Sequence, residues 1–376
     1  MRLSKTSSDM RHLSVPSADT AKILETLRDD QCLPKGARII ADPSDESRRL
    51  IPIIDDGGAL NRVSERYEYP IIEAEQPDTS PRSYREQLDT YIGVDEVERL
   101  SDHWPMRHEI LGDLILVKIP EEVLQYEAAI AQAMLAQHTR IRMVMKDEGV
   151  SGEYRVRQLT PLAERVESTI NVYFDHNPDC RTQVKESGYK YWVDPTKAYF
   201  SARLSKERED TIASCQTLRE KVGHKLRICD PYAGVGPALV PLLAEDDLIE
   251  LAWGSDLNPD AVVLMEENLS AYDHVEIQCK DALSLATDPK LKGQFDVLLI
   301  NIPHSTLSHL ASVIPLLKES SPTLLRGWVV VEDNRIAATE EEIREIIPTN
   351  SELEFSTRRS YSVAHLLCRF EVKINH

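Results

Sequence analysis

The chain has 376 residues, 63 of them acidic and 44 basic, for a formal charge of −19. That balance excludes a general nucleic-acid coat, because phosphate binding leaves a basic footprint, while the length suffices for two or three separate cores. No run of about 18 apolar residues occurs, and the start, MRLSKTSSDMRHLSVPS, lacks the apolar stretch of a signal peptide, so a soluble cytoplasmic protein without membrane contact is expected.

Residues 1–92 read as a small N-terminal module with a flexible polar start. Within it, GARIIADPSDESRRLIPIIDD (36–56) suggests two short strands around a turn, and EAEQPDTSPRSYREQ (73–87) suits a linker. The span 93–195 reads as an α+β module. HEILGDLILVKIP gives a turn and strand, EEVLQYEAAIAQAMLAQH an amphipathic helix, and RIRMVMKDEG, SGEYRVRQLTPLAE and ESTINVYF further strands. From 196 to 376 strands and helices alternate. KLRICD, LAWGSD, VEIQCKD, FDVLLIN and GWVVVED predict strands, with helices near 236–245, 259–271, 305–318 and 338–347. This alternation implies a doubly wound parallel sheet, followed by a terminal hairpin in LEFSTRRSYSVAHLLCRFEVK. The six cysteines (Cys32, Cys180, Cys215, Cys229, Cys279, Cys368) form no CxxC and read as structural thiols in a reducing compartment rather than as a zinc site or disulfides.

In an open parallel sheet the ligand lies beyond the carboxyl ends of the strands, where CDPYAGVGPALVP (229–241) falls. A dinucleotide turn would carry G-x-G-x-x-G, but Leu239 stands at the third glycine. The lysine and hydroxyl of a phosphate loop are missing as well. Asp256 ends the second strand, where a carboxylate can accept from both hydroxyls of an adenosine ribose. Asp281 follows the third strand, where it suits an adenine amino group. Asp230, Gly234, Gly236, Asp256 with Leu257, and Asp281 with Ala282 together make an S-adenosylmethionine pattern. Singly, Asp256 and Asp281 could be helix caps. After the fourth strand, Asn301-Ile302-Pro303 is similar to the [DN]-x-P element of methyltransferases that modify base nitrogens, although Asn-x-Pro is also a common strand exit.

Taken in order, GEYRVRQL (152–159), YFSARLSKERE (199–209), DPYAGVGP (230–237), DLNPD (256–260) and NIP (301–303) resemble the archaeal and eukaryotic-type tRNA (guanine-37 N1)-methyltransferase family. The resemblance runs from about Arg107 to the C-terminus and more loosely before it. It implies an α/β fold with a C-terminal class I S-adenosylmethionine-dependent methyltransferase (Rossmann-like) domain. A small α+β RNA-binding module and a small N-terminal tRNA-recognition module precede it. It also implies a monomer whose partner is tRNA, gripped at the body and anticodon loop. By the same resemblance Glu207 is the general base, Arg155 stabilises charge on guanine O6, and Arg208 and Asn301 lie at the cofactor and target base. The chemistry agrees, because guanine N1 carries a proton and no free lone pair until a base removes that proton. The charge left on O6 then needs a fixed planar donor.

Against these roles, SKERED reads equally as a solvated helix start, and Arg155 and Arg157 compete as neighbours on one strand face. Departures from the family are Ala202 in place of proline, the lack of a glycine in TPLAERVES, and His304 where alanine is commoner. An aminocarboxypropyl transferase of wyosine synthesis shares most of the fold, but its stretches run more like FSxGNxxER and AGIGYF. A non-catalytic tRNA-binding protein and a nicotinamide-dependent dehydrogenase are more distant readings. From Arg181 to Arg208 seven bases face three acids, so a local basic patch persists on an acidic chain. Tyr154, Tyr189, Tyr191 and Trp192, beside Arg181, Lys185 and Lys190, are candidates for stacking on loop bases, with Trp192 equally a core residue.

Overall fold

The computed structural model describes residues 9–34, 38–54, 56–75, 81, 83–152, 154–172, 174, 177–362 and 364–375. It separates into two compact units, Met1–Glu86 and Gln87–His376. Among the described residues no helix is long and apolar enough to cross a membrane.

In the first unit four antiparallel strands lie in the order Ile40–Asp42, Asp45–Pro52, Asp9–Pro16, Ile71–Glu75. Two helices, Thr20–Asp29 and Gly57–Arg66, lay Ile23, Leu27, Ala59 and Val63 on Leu13, Val15, Ile51 and Ile53 of the sheet. The second helix starts where Asp56 accepts from the Ala59 amide at 2.6 Å, satisfying one of the orphan donors of its first turn. The two strands expected within 36–56 are present. Of the polar start, residues 1–8 lie outside the described residues, whereas Asp9–Asp29 form a strand and a helix. The stretch read as a linker holds the end of the strand Ile71–Glu75 and the start of a helix, Tyr84–Ile92; residues 76–80 and 82 lie outside the described residues.

The second unit joins what the sequence suggested as two domains, 93–195 and 196–376. A five-stranded sheet comes first, in the order His108–Leu111, Leu114–Val117, Met143–Ser151, Val156–Val166, Thr169–Asn171. The helix Glu127–Gln137 crosses between the two parallel strands and buries Ile130, Ala131, Ala133, Met134 and Leu135. A hairpin, Thr182–Glu186 with Tyr189–Val193, follows. Asn268 joins this hairpin to the main sheet, because its side chain accepts from the Trp192 amide at 2.7 Å and donates to the Trp192 and Val235 carbonyls.

The main sheet has seven strands: β1 (Leu226–Asp230), β2 (Ile249–Asp256), β3 (Val275–Cys279), β4 (Val297–Ile300), β5 (Thr323–Glu332), β6 (Ser351–Ser360) and β7 (His365–Ile374). Their spatial order is 3-2-1-4-5-7-6, parallel through β5, with β7 antiparallel to both of its neighbours. β4 is buried along its whole length, as a strand covered on both faces must be. Helices approach the sheet so closely that a Cβ on Gly254 of β2 would stand 2.7 Å from Met265 Sδ and 3.0 Å from Leu239 Cδ1. The strand order reverses between β1 and β4, which opens a crevice at their carboxyl ends.

Candidate active site

β1 delivers Asp230 to that crevice as a fully enclosed carboxylate, 2 % exposed. Burial pushes its pKa up to about 7, and the nearby Asp256 carboxylate adds to the effect. The Tyr232 amide, donating at 3.2 Å, and the Arg208 charge oppose it. The following turn needs left-handed backbone at Gly234 (φ +55°) and Gly236 (φ +83°). A Cβ on Gly234 would meet only the Tyr199 carbonyl oxygen, at 3.9 Å, so the turn leaves open space there. A Cβ on Gly236 would press Met265 at 3.2 Å.

Asp256 ends β2 and ties the turns together, accepting from the Gly234 amide at 2.8 Å and the Asn258 amide at 2.9 Å. Burial raises its pKa against those two bonds. The helix after β2 is capped by Asn258 rather than Asp256, with Pro259 at its first position. Asp256 is therefore not spent as a cap. Asp281 does cap, accepting from the Leu283 amide at 3.0 Å, yet it stays exposed. Ala282 beside it is buried, and Leu257 is a 43 % exposed apolar side chain next to Asp256.

One cleft is lined by Glu207, Arg208, Asp230, Ala233, Asn301 and Trp328. The helix Ser205–Val222 supplies Glu207 in its first turn, where the dipole favours a negative charge. Glu207 is 6 % exposed, so it is not the solvated start that SKERED also allowed. Trp328 Nε1 donates to it at 3.4 Å, and the Arg358 guanidinium donates to its other oxygen. Arg326 and Arg369 each approach to 3.7 Å. A second row of acids, Asp210, Glu354 and Glu371, completes the cluster around these arginines. Arg208 is buried too, but its guanidinium is taken by both oxygens of Glu186 (2.5 and 2.6 Å) and by the Ser201 carbonyl. In this arrangement it walls the cleft and braces the hairpin against the helix. Asn301, one residue beyond β4, is exposed at the cleft, and the chain turns after it through Pro303, whose carbonyl accepts from the Val330 amide at 2.8 Å.

Arg155 and Arg157 do not share a strand face. Arg155 sits in the turn before Val156–Val166 with φ +52°, whereas Arg157 lies in the strand. Arg157 is held by Glu109 at 2.9 Å and Asp147 at 3.6 Å. Arg155 is exposed and reaches the Tyr361 hydroxyl at 3.5 Å, and that hydroxyl also meets His304 Nε2 at 2.8 Å. The fold thus carries Arg155 to the segment that continues from Asn301. Of the aromatic candidates, Tyr191 is core, packed on Phe200, because the hairpin turns that side inward. Trp192 is half-buried under the Arg181 guanidinium at 5.1 Å, and Tyr154 is exposed.

Sequence reasoning missed Trp328, Arg326, Arg358, Arg369 and Tyr361. One signal was available, the single arginine within the apolar run TLLRGWVVV, which cannot be buried in a central strand without an acidic partner.

Residues 182–339 match the TRM5/TYW2 methyltransferase domain, and residues 84–163 match the TYW2 N-terminal domain. Over 254 residues the chain is 29% identical to the tRNA (guanine(37)-N(1))-methyltransferase Trm5b of Pyrococcus abyssi, covering 65% of this chain and 67% of that one. It is 24% identical to the tRNA (guanine(37)-N(1))-methyltransferase of Trichomonas vaginalis, covering 56% of this chain and half of the relative. In fold it is similar to the crystal structure of Trm5b from Pyrococcus abyssi (TM-score 0.63, 22% identity, 98% and 100% of the two chains). It is also similar to TYW2 of Pyrococcus horikoshii in complex with MeSAdo (TM-score 0.59, 17% identity, 78% and 98%).

Proposed function

We propose that this chain, whose residues 182–339 match the TRM5/TYW2 methyltransferase domain, transfers the methyl group of S-adenosylmethionine to N1 of guanosine 37 in tRNA. The observation that carries this reading is the shared cleft, in which Glu207 from the helix before β1 and Asn301 from the end of β4 face Asp230 at the end of β1.

S-adenosylmethionine, when bound, supplies an electrophilic methyl group on a positively charged sulfur. The residues present suit it. Gly234 leaves room at the turn, Asp256 offers carboxylate oxygens beyond β2, and Asp281, Leu257 and Ala282 lie next along the sheet edge. Among the described residues no guanidinium or ammonium group forms an ion pair with the buried Asp230 carboxylate, so a cationic ligand beside it relieves its desolvation. Glu207 would accept the N1 proton of guanine, leaving that nitrogen with the lone pair it needs to act as a nucleophile. Arg155 balances the charge that develops on O6, and Asn301 orients the amine edge of the base. The exposed Lys185 and Lys190 face each other across the hairpin, a like-charge pair that a phosphate relieves. This supports tRNA contact on that face. We place the enzyme in the cytoplasm as a monomer; its six unpaired cysteines support a reducing compartment.

A second reading, transfer of an aminocarboxypropyl group to an already modified guanosine, is favoured by the match of residues 84–163 to the TYW2 N-terminal domain. One experiment separates the two. The chain is incubated with labelled cofactor and two unmodified tRNA transcripts that differ only in guanosine or adenosine at position 37, and the product nucleoside is weighed. Methylguanosine from the guanosine transcript alone is the expected result. No product there, with an aminocarboxypropyl adduct on premodified tRNA, refutes methyl transfer.

A further inference from the structure

Tyr361 belongs to no motif, yet its hydroxyl is where three separate chain segments meet. Arg155 comes from the turn before Val156–Val166, His304 from the loop after β4, and Tyr361 from the turn between β6 and β7. The Tyr361 amide donates to the His365 carbonyl at 2.8 Å, which ties the Tyr361 backbone to the start of β7. The Tyr361 and His304 rings meet edge-on, 5.1 Å between centroids. Among the described residues the only side-chain hydrogen bond of Arg155 is the one to Tyr361, and no carboxylate pairs with it.

That choice of partner has a chemical consequence. An arginine that must answer a charge appearing on a substrate loses effect if a carboxylate already neutralises it, as Glu109 and Asp147 neutralise Arg157. A phenol oxygen holds the guanidinium in place and leaves its charge available. The hydroxyl has one proton to give and two lone pairs. Donating the proton to His304 Nε2 leaves the lone pairs for Arg155, which requires a neutral imidazole. Burial and then the Arg155 and His365 charges hold the His304 pKa below its ordinary value, in keeping with that arrangement.

We propose that Tyr361, anchored by His304, is a positioning residue that sets Arg155 against the target base. The proposal rests on the methyl-transfer reading. It is tested with the full chain and the guanosine transcript, comparing wild type, Tyr361→Phe, Arg155→Ala and the double variant. Tyr361→Phe keeps the ring and removes only the hydroxyl. Its kcat should fall roughly tenfold while KM for tRNA stays within about twofold, and in the Arg155→Ala background it should cost less than about twofold. His304→Ala should follow Tyr361→Phe, and His304→Gln, which keeps an acceptor, should recover part of the loss. Equal losses from Tyr361→Phe in both backgrounds overturn the proposal. So does a rise in KM without a change in kcat, the mark of a residue that merely stacks on RNA. A wild-type chain inactive on the guanosine transcript refutes the methyl-transfer reading itself and the role of Tyr361 with it, so the two failures are told apart by the wild-type arm.

Discussion

Replacing Glu207 by glutamine removes one ionisable oxygen and almost no volume, so its effect on chemistry can be separated from its effect on folding. Around this residue three guanidiniums (Arg326, Arg358, Arg369) meet four carboxylates (Glu207, Asp210, Glu354, Glu371), and the variant leaves three against three. The amide oxygen can still accept from Trp328 or Arg358. Loss of stability should therefore stay near 1–2 kcal/mol, a few degrees of melting temperature. Removing the base should cost about 10²–10⁴ in the rate of methyl transfer. The assay is single-turnover transfer to the guanosine transcript at saturating cofactor, with cofactor affinity measured by calorimetry and folding by thermal melting. Turnover within about threefold of wild type at neutral pH would mean that another group takes the N1 proton, since a base contributes at least two orders of magnitude. A melting temperature lowered far beyond a few degrees would instead show that the carboxylate mainly serves the arginine cluster.

Asp230 makes a prediction about pH. Its carboxyl is raised from 3.8 to about 7 in the fold, so the native state holds a proton that the unfolded chain has released. That contribution to stability is complete below the unfolded value and is lost as pH rises toward about 7; Asp230→Asn should flatten the decline of the ligand-free melting temperature over that window. A cationic ligand favours the ionised form, so cofactor binding near pH 6 should release a proton. Calorimetry in buffers of different ionisation enthalpy measures this, and heats that do not vary with buffer refute it. The two arginines near the hairpin turn should separate cleanly. Arg155→Ala should lower kcat on the order of a hundredfold with little change in melting temperature. Arg157→Ala, which strands Glu109 and Asp147, should lower stability by about 1–3 kcal/mol and leave kcat nearly intact. Equal effects of the two in both assays would contradict their separate placements.

Most of the methyltransferase sheet was legible because its signals are local. An apolar strand ending in a carboxylate, a turn with glycines at left-handed φ, and Asn258-Pro259 opening a helix each act within a few residues, and each stands where the sequence suggests. The helices were placed correctly but drawn too long at 236–245 and 305–318, where the folded segments are Leu239–Leu243 and Thr306–Val313. Strand register is a different matter. Both arginines of EYRVRQL suit one strand face, but the left-handed turn at Arg155 depends on how that hairpin closes, and only pairing with Met143–Ser151 decides it.

What the sequence determined by itself was where carboxylate, glycine and amide groups stand along the sheet edge, since those positions follow from strand ends and turns. Tertiary structure alone decided which groups are free to act. Glu207 lies among three arginines that come from strands more than a hundred residues later, Arg208 is spent on Glu186, and Arg155 meets Tyr361 across 206 positions. Charges act through space at a few ångströms, and no sequence spacing encodes a distance between chain segments that only the folded sheet brings together.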